Sequence, residues 1–286
     1  MQKIKADLLK HIPKSKLAEG PVWDHRNNTL WWVDILNGHL HSFNQENNAH
    51  KTYSIGQYIG AAIPCKGNGL VLAGHQGFYL FYPDSQQLLP IGDLQLESIN
   101  FRFNDGKCDA MGRFWAGTME IEFQQNSGNL YCLTKHQVTN KLNGIYGSNG
   151  IAWSLDHTKM YYIDTLKYKL LVFDFDLKTG FLSNGKALII FEASMGYPDG
   201  MTIDENGNLW ICFYDGSKVC CFDPKTGTEI TKIETPVQRP TSCTFGGPKM
   251  DVLYITSAQK KGDTLGGSLF FSRPGVKGPT TNFYEQ

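Results

Sequence analysis

Glu19, Asn104, Asn149 and Asp199 all carry hard oxygen donors, and each stands at the same place in a recurring pattern of short strand, polar turn and aromatic strand. Donors of this kind suit Ca²⁺, Mg²⁺ or Mn²⁺, with catalytic Zn²⁺ also allowed. The set lacks His and Cys, which argues against a structural zinc site. Two carboxylates held close together repel each other, and a divalent cation is the simplest compensation. Taken singly, each residue reads more simply as an acid or amide that caps a loop at a strand start and meets water in the channel. Four acceptors at four equivalent positions have no common turn-making reason, so the set predicts one bound divalent metal ion.

The stretch "GYPDGMTIDENGNLWICF", residues 196 to 213, illustrates the distinction between cap and ligand. Asn206-Gly207 lies between Met201-Thr202-Ile203 and Leu209-Trp210-Ile211 and predicts a hairpin turn. Asp199-Gly200 follows a loop and opens a strand, where no hairpin is needed. Asp199 is therefore free for another task.

These residues must be positioned by a repeat. Segments starting at Glu19, Gly60, Asn104, Asn149, Asp199 and Thr241 fit one template, with successive gaps of 41, 44, 45, 50 and 42 residues. Asn104 is aligned by counting back from Trp115, as Asp199 is from Trp210, which places Asp105 opposite Gly200. Such a period, with alternating strands and Gly/Asn/Pro punctuation and no long amphipathic helix, predicts an all-β, six-bladed β-propeller of four-stranded antiparallel blades. The whole chain, 1–286, reads as one domain. The alternating Ile4, Ala6 and Leu8 are expected to supply a strand to the last blade, closing the ring without an open sheet edge. The innermost strands then run along the central channel, and the template residues ring its axis. Gly150 and Gly200 are expected to leave room there for backbone, water or substrate.

Bulk properties narrow the partner. Formal net charge is zero, with 27 acidic and 27 basic residues, which excludes the electrostatic footprint of a nucleic-acid or polybasic membrane binder. A small ligand is expected, with no obligate protein partner. The chain lacks a signal-like apolar N-terminus and any apolar run of about 18 residues, so the expected location is cytoplasmic. Seven cysteines, Cys65, Cys108, Cys132, Cys212, Cys220, Cys221 and Cys243, form no C-x-x-C pair and read as reduced interior residues.

The segments "AEGPVWD", "RFNDGKCDAMGRFWAGTME", "SNGIAWSLDHTKMYYIDT", "YPDGMTIDENGNLW", "TSCTFGGPKMDVLYITSA" and "GVKG" resemble the regucalcin, gluconolactonase and luciferin-regenerating enzyme family, nearest its regucalcin branch. The resemblance runs in order through nearly the whole chain. It implies a six-bladed propeller that carries one catalytic divalent metal and hydrolyses sugar lactones; animal members of the regucalcin branch are also described as calcium-binding proteins. By the same resemblance Glu19, Asn149 and Asp199 match the metal ligands, and Asp199 also the acid/base. Arg102 and Asn104 match substrate contacts, as does Glu122, although the family usually reads "GTMAEE" where this chain has Met119-Glu120-Ile121-Glu122.

The residue types suit that chemistry. A metal ion polarises a lactone carbonyl and acidifies a bound water. Asp199 can accept the water proton and return it to the ring oxygen. Arg102, permanently charged with five donors, can hold sugar hydroxyls or a developing oxyanion; the alternative is an ordinary surface arginine. Trp23, Trp31, Trp115, Trp153 and Trp210 recur at strand positions and are expected to pack between blades. The eight histidines, among them His25, His75 and His157, form no i, i+4 ligand pair and are assigned no catalytic task. No G-x-S-x-G elbow or P-loop occurs.

The leading expectation is a metal-dependent lactonase acting on a gluconolactone-type sugar lactone. A non-enzymatic calcium-binding or regulatory protein would need ligands but neither Asp199 as acid/base nor Arg102. An interaction scaffold would need no acids at its axis. A hydrolase of another ester, a phosphotriester or a thiazole-type adduct would share fold and ligands, differing in the channel loops near 56–60, 119–128 and 143–148.

Overall fold

The computed structural model describes residues 4–94, 96, 98–122, 124 and 126–286. Six sheets follow one another along the chain, antiparallel apart from one added N-terminal strand, and the blade of each begins with an inner strand: Ala18–Asp24, Ile59–Pro64, Phe101–Cys108, Ser148–Trp153, Tyr197–Ile203 and Pro240–Gly246. Each inner strand touches the next, and Pro240–Gly246 returns to Ala18–Asp24, so the sheets are the blades of a six-bladed propeller. Among the described residues the only helices are single 3₁₀ turns at Thr165–Lys167 and Ala193–Met195. No helix among them is long and apolar enough to cross a membrane.

The hairpin logic holds where the local chemistry is strongest. Ile203 pairs with Leu209, Gly207 takes φ 85°, and the Gly207 N–H donates to Asp204 O at 3.0 Å, so Asn206-Gly207 turns the chain. Asp204 tightens the same turn by accepting the Asn206 and Asn208 N–H groups and Trp210 Nε1–H. Asp109 repeats the device in the third blade for Met111, Arg113 and Trp115.

Ring closure follows the expectation and adds to it. Asp7–Leu8 is the outermost strand of the last blade, antiparallel to Phe270–Ser272. Just before it, Ile4–Lys5 pairs in parallel with Glu229–Glu234 of the fifth blade, so the N-terminal segment ties two blades and covers both outer edges. Leu17 bridges Ala258 across the seam.

Tryptophans fill the spaces between blades. Trp23, Trp115 and Trp210 are at most 1% exposed, Trp115 meets Trp153 edge-on at 6.0 Å, and Trp23 stacks on Tyr254 of the last blade at 5.6 Å. The seven cysteines are buried and unpaired, as expected.

Candidate active site at the channel mouth

All six inner strands break register at the template position, between Glu19 and Val22, Ile59 and Ala61, Phe103 and Asp105, Ser148 and Ile151, Pro198 and Met201, and Pro240 and Cys243. A bulge adds an unpaired residue and re-aims its side chain. Here it lies in or beside Glu19, Gly60, Asn104, Asn149, Asp199 and Thr241, so the six positions equated by sequence counting are equivalent in space. Close approach of the inner strands explains the glycines. A Cβ at Gly60 would stand 2.4 Å from the Phe103 carbonyl carbon, one at Gly150 2.8 Å from Asp199 O, and one at Gly200 2.7 Å from Ser242 Cα. The room expected at Gly150 and Gly200 is taken by the neighbouring strand.

Glu19, Arg102, Asn104, Asn149 and Asp199 line one cavity of about 420 Å³ with Tyr197, Tyr214, Leu17 and Met119. None of the five polar residues is more than 6% exposed. Glu122 is exposed and is not among the lining residues, so the structure does not bring it to the cluster. Of the loop near 119–128, residues 123 and 125 lie outside the described ones.

Hydrogen bonds separate the five by role. Asn104 is committed at both ends: Nδ2 donates to Ser148 O at 2.7 Å, and Oδ1 accepts from Arg102 Nη1 at 2.5 Å. Asn149 Nδ2 donates to Thr165 Oγ1 at 2.9 Å, and Thr165 in turn donates to Pro198 O at 2.8 Å. That anchor leaves Asn149 Oδ1 facing the cluster. Asn149 Oδ1 and Asp199 Oδ1 are buried without a hydrogen-bond partner. Orphaned acceptors are costly to bury and call for an explanation such as an ion. Beside Glu19 they form an all-oxygen set that fits a divalent cation, so Glu19, Asn149 and Asp199 are the residues that would hold it.

The electrostatics agree. Burial first, then the Asp199 and Asp105 carboxylates, hold Glu19 well above its ordinary range. Asp199 is raised likewise, by burial and then by Asp105, against the opposing pull of the Gly200 N–H, Arg102 and Asn149. Burial pulls the Arg102 guanidinium down to about 10, while Glu19, Tyr58 and Asp199 push it back up. Lys107 offsets Asp105, which leaves the single charge of Arg102 to face Glu19 and Asp199; a dication would compensate the pair.

The structure brings forward further residues that motif and spacing leave out. Thr165 fixes Asn149, but its only signal was a threonine in a 3₁₀ turn after a strand. Asp105 was counted out of the ring one residue past Asn104, yet it is 5% exposed and acts on both carboxylates. Asp105 and Lys107 line a second cavity of about 260 Å³ further along the channel. Finally, His39 and His41, assigned no task above, lie with Asp34 on the first blade, one ligand atom of each within 4.8 Å of the others. Histidines at i, i+2 on one strand, opposite an acid across a hairpin, were the available signal.

Comparison with known proteins decides the family. Residues 17–259 match the SMP-30/Gluconolactonase/LRE-like region. The chain belongs to that family. It is 36% identical over 277 residues to regucalcin of Xenopus laevis, covering 92% of this chain and 93% of that one. It is also 36% identical over 249 residues to a Bacillus subtilis (strain 168) protein provisionally named sugar lactone lactonase YvrE, covering 87% and 85%. The crystal structure of a calcium-binding protein, regucalcin from Agrobacterium tumefaciens, superimposes with a TM-score of 0.94 at 24% identity, covering both chains fully, and this likeness supports the fold.

Proposed function

We propose that this member of the family is a metal-dependent hydrolase that opens a sugar lactone of the gluconolactone type to its aldonic acid. The observation that carries this reading is the pair of orphaned oxygens, Asn149 Oδ1 and Asp199 Oδ1, beside Glu19 and within one cavity with the buried Arg102. When bound, a divalent ion (Ca²⁺, Zn²⁺, Mn²⁺ or Mg²⁺) supplies Lewis acidity toward the lactone carbonyl and lowers the pKa of water.

The chain's own residues account for the remaining tasks. Asp199, buried in the same cavity as Glu19, Asn149 and Arg102, stands where a carboxylate can take a proton from the attacking water and deliver it to the ring oxygen as the ester bond breaks. Arg102 is held by its Nη1 contact to Asn104 and keeps other N–H donors for sugar hydroxyls or the developing oxyanion. Tyr197, Tyr214, Leu17 and Met119 give the cavity partly apolar walls that would exclude bulk water around a small cyclic substrate.

The test is hydrolysis of D-glucono-δ-lactone, followed as acid release above the spontaneous rate, with chelated protein to which Ca²⁺, Mg²⁺, Mn²⁺ or Zn²⁺ is restored in turn. Turnover restored by at least one ion is the expected result. Metal binding without turnover by any ion would overturn it, in favour of a non-catalytic calcium-binding role or another ester substrate.

A further inference from the structure

The first blade carries a second constellation that the lactonase reading does not use. Its second strand, Thr29–Asp34, and its third, His39–Asn44, form a tight hairpin in which Asp34 pairs with His39 and Trp32 with His41. Directly paired residues share a sheet face, as do residues i and i+2. Asp34, His39 and His41 therefore project together, and a donor atom of each lies within 4.8 Å of the other two.

His41 is the centre of the arrangement. It is 4% exposed and stacked on Trp32 with ring centroids 5.0 Å apart. Its Nδ1 lies 3.0 Å from Thr52 Oγ1 and 3.2 Å from His50 Nε2. Its Nε2 is buried with no hydrogen-bond partner. With the Nδ1 proton directed to either acceptor, Nε2 presents a bare lone pair. An outer hydrogen bond that fixes the tautomer and orients the ring is the usual support of a metal-ligating histidine.

Asp34 accepts three hydrogen bonds, from the Lys16 and Leu17 N–H groups and from Asn37 Nδ2. A carboxylate has about four acceptor positions, so one remains. His39 is half-buried and opens the cluster toward solvent, giving an entry path.

We propose that Asp34, His39 and His41 form a second metal site, separate from the channel, that takes a borderline transition-metal dication of the Zn²⁺ type. Two imidazoles and one carboxylate suit such an ion and disfavour Ca²⁺ and Mg²⁺, which prefer all-oxygen shells. Three protein ligands leave a position for water. The site sits at the closure of the ring: Asp34 holds the amides of Lys16 and Leu17, Lys16 O accepts the Gln259 N–H, and Leu17 bridges Ala258 of the last blade. An ion here would staple the segment that enters Glu19.

The experiment compares the full chain, a Glu19→Gln/Asp199→Asn variant with its channel ligands weakened, and His39→Ala made in both. Each is stripped with chelator and titrated with Zn²⁺ by calorimetry and with Co²⁺ by visible absorption. One Zn²⁺ equivalent should persist in the channel variant, with Co²⁺ bands of four-coordinate intensity, and should raise its Tm. His39→Ala should weaken that equivalent about 100-fold or more and abolish the Tm rise. His39 is half-buried at a hairpin end, and His39→Gln in the wild-type background provides a milder second test, with bound Zn²⁺ falling by one equivalent. No Zn²⁺ bound by the channel variant, or binding indifferent to both His39 substitutions, would overturn the proposal. Neither outcome depends on lactone turnover.

Discussion

The channel cluster and the first-blade cluster are built in opposite ways. Glu19, Asn149 and Asp199 come from three blades and are brought together by ring closure, whereas Asp34, His39 and His41 come from one hairpin. The first set is all oxygen, crowded with like charge, and shares its cavity with an arginine. The second is rich in nitrogen and has a carboxylate already engaged by backbone amides. Donor type thus separates a set suited to a hard cation from one suited to a borderline metal. Sequence distance separates a site that needs the whole ring from one that needs a single turn.

Substitutions can break this contrast, and Asp199→Ala should have the largest effect. Loss of a general acid/base lowers turnover by about 10²–10⁴-fold, and loss of a ligand adds to it, while circular dichroism stays that of the folded propeller. Retained lactone turnover would remove Asp199 from the chemistry. Glu19→Gln comes next, with channel-metal affinity falling more than about 100-fold, since disturbing outer partners alone costs about 10–100-fold. Isothermal titration on chelated protein measures this, and an unchanged Kd would strike Glu19 from the ligand set.

Arg102→Ala should lower kcat/KM by about 10²–10³-fold, in the range of a lost oxyanion donor, with metal stoichiometry unchanged. Loss of bound metal instead would mean that Arg102 shapes the ion site. A smaller effect is expected for Thr165→Val, which removes the donor to Pro198 O and the acceptor of the Asn149 amide. Channel-metal affinity should fall about 10-fold, and a kcat loss at unchanged metal affinity would refute the positioning role.

The pH dependence sharpens the comparison. Glu19 and Asp199 bind protons more tightly when folded than when unfolded. Their contribution to the stability of metal-free protein is therefore full below the ordinary carboxylate range and is lost as pH rises through the raised folded values. Tm of chelated protein should fall as pH is raised through that window. Glu19→Gln should flatten the fall, because one of the repelling charges is gone. A Tm that rises over the same window would show that the carboxylates are not destabilising one another.

Much of this was legible in the chain. The Asn206-Gly207 hairpin, the strand periodicity and the tryptophan positions are local matters of φ preference and side-chain alternation. Equivalence of the six template residues could be counted, and the bulges bear the counting out. Asp105 defeated the count because a bulge redirects side chains on either side of it, which spacing alone does not report. Glu122 was placed by its motif alone, and the structure leaves it exposed. Asp34, His39 and His41 show no helical i, i+4 spacing, because on strands the side chains that share a face are at i, i+2 and directly across the hairpin.

Residue types and their spacing were enough for the repeat, the blade count, the strand that closes the ring and the oxygen-donor identity of the axial residues. These follow from composition at fixed intervals and from the rule that a sheet edge must be covered. Which acceptors are left unpaired, which carboxylates feel one another, and that the N-terminal segment ties two blades instead of one emerge only in the folded ring. Burial and the directions of side chains at a bulge depend on neighbours about 40–50 residues away, one blade period, and these are fixed only when the last blade meets the first.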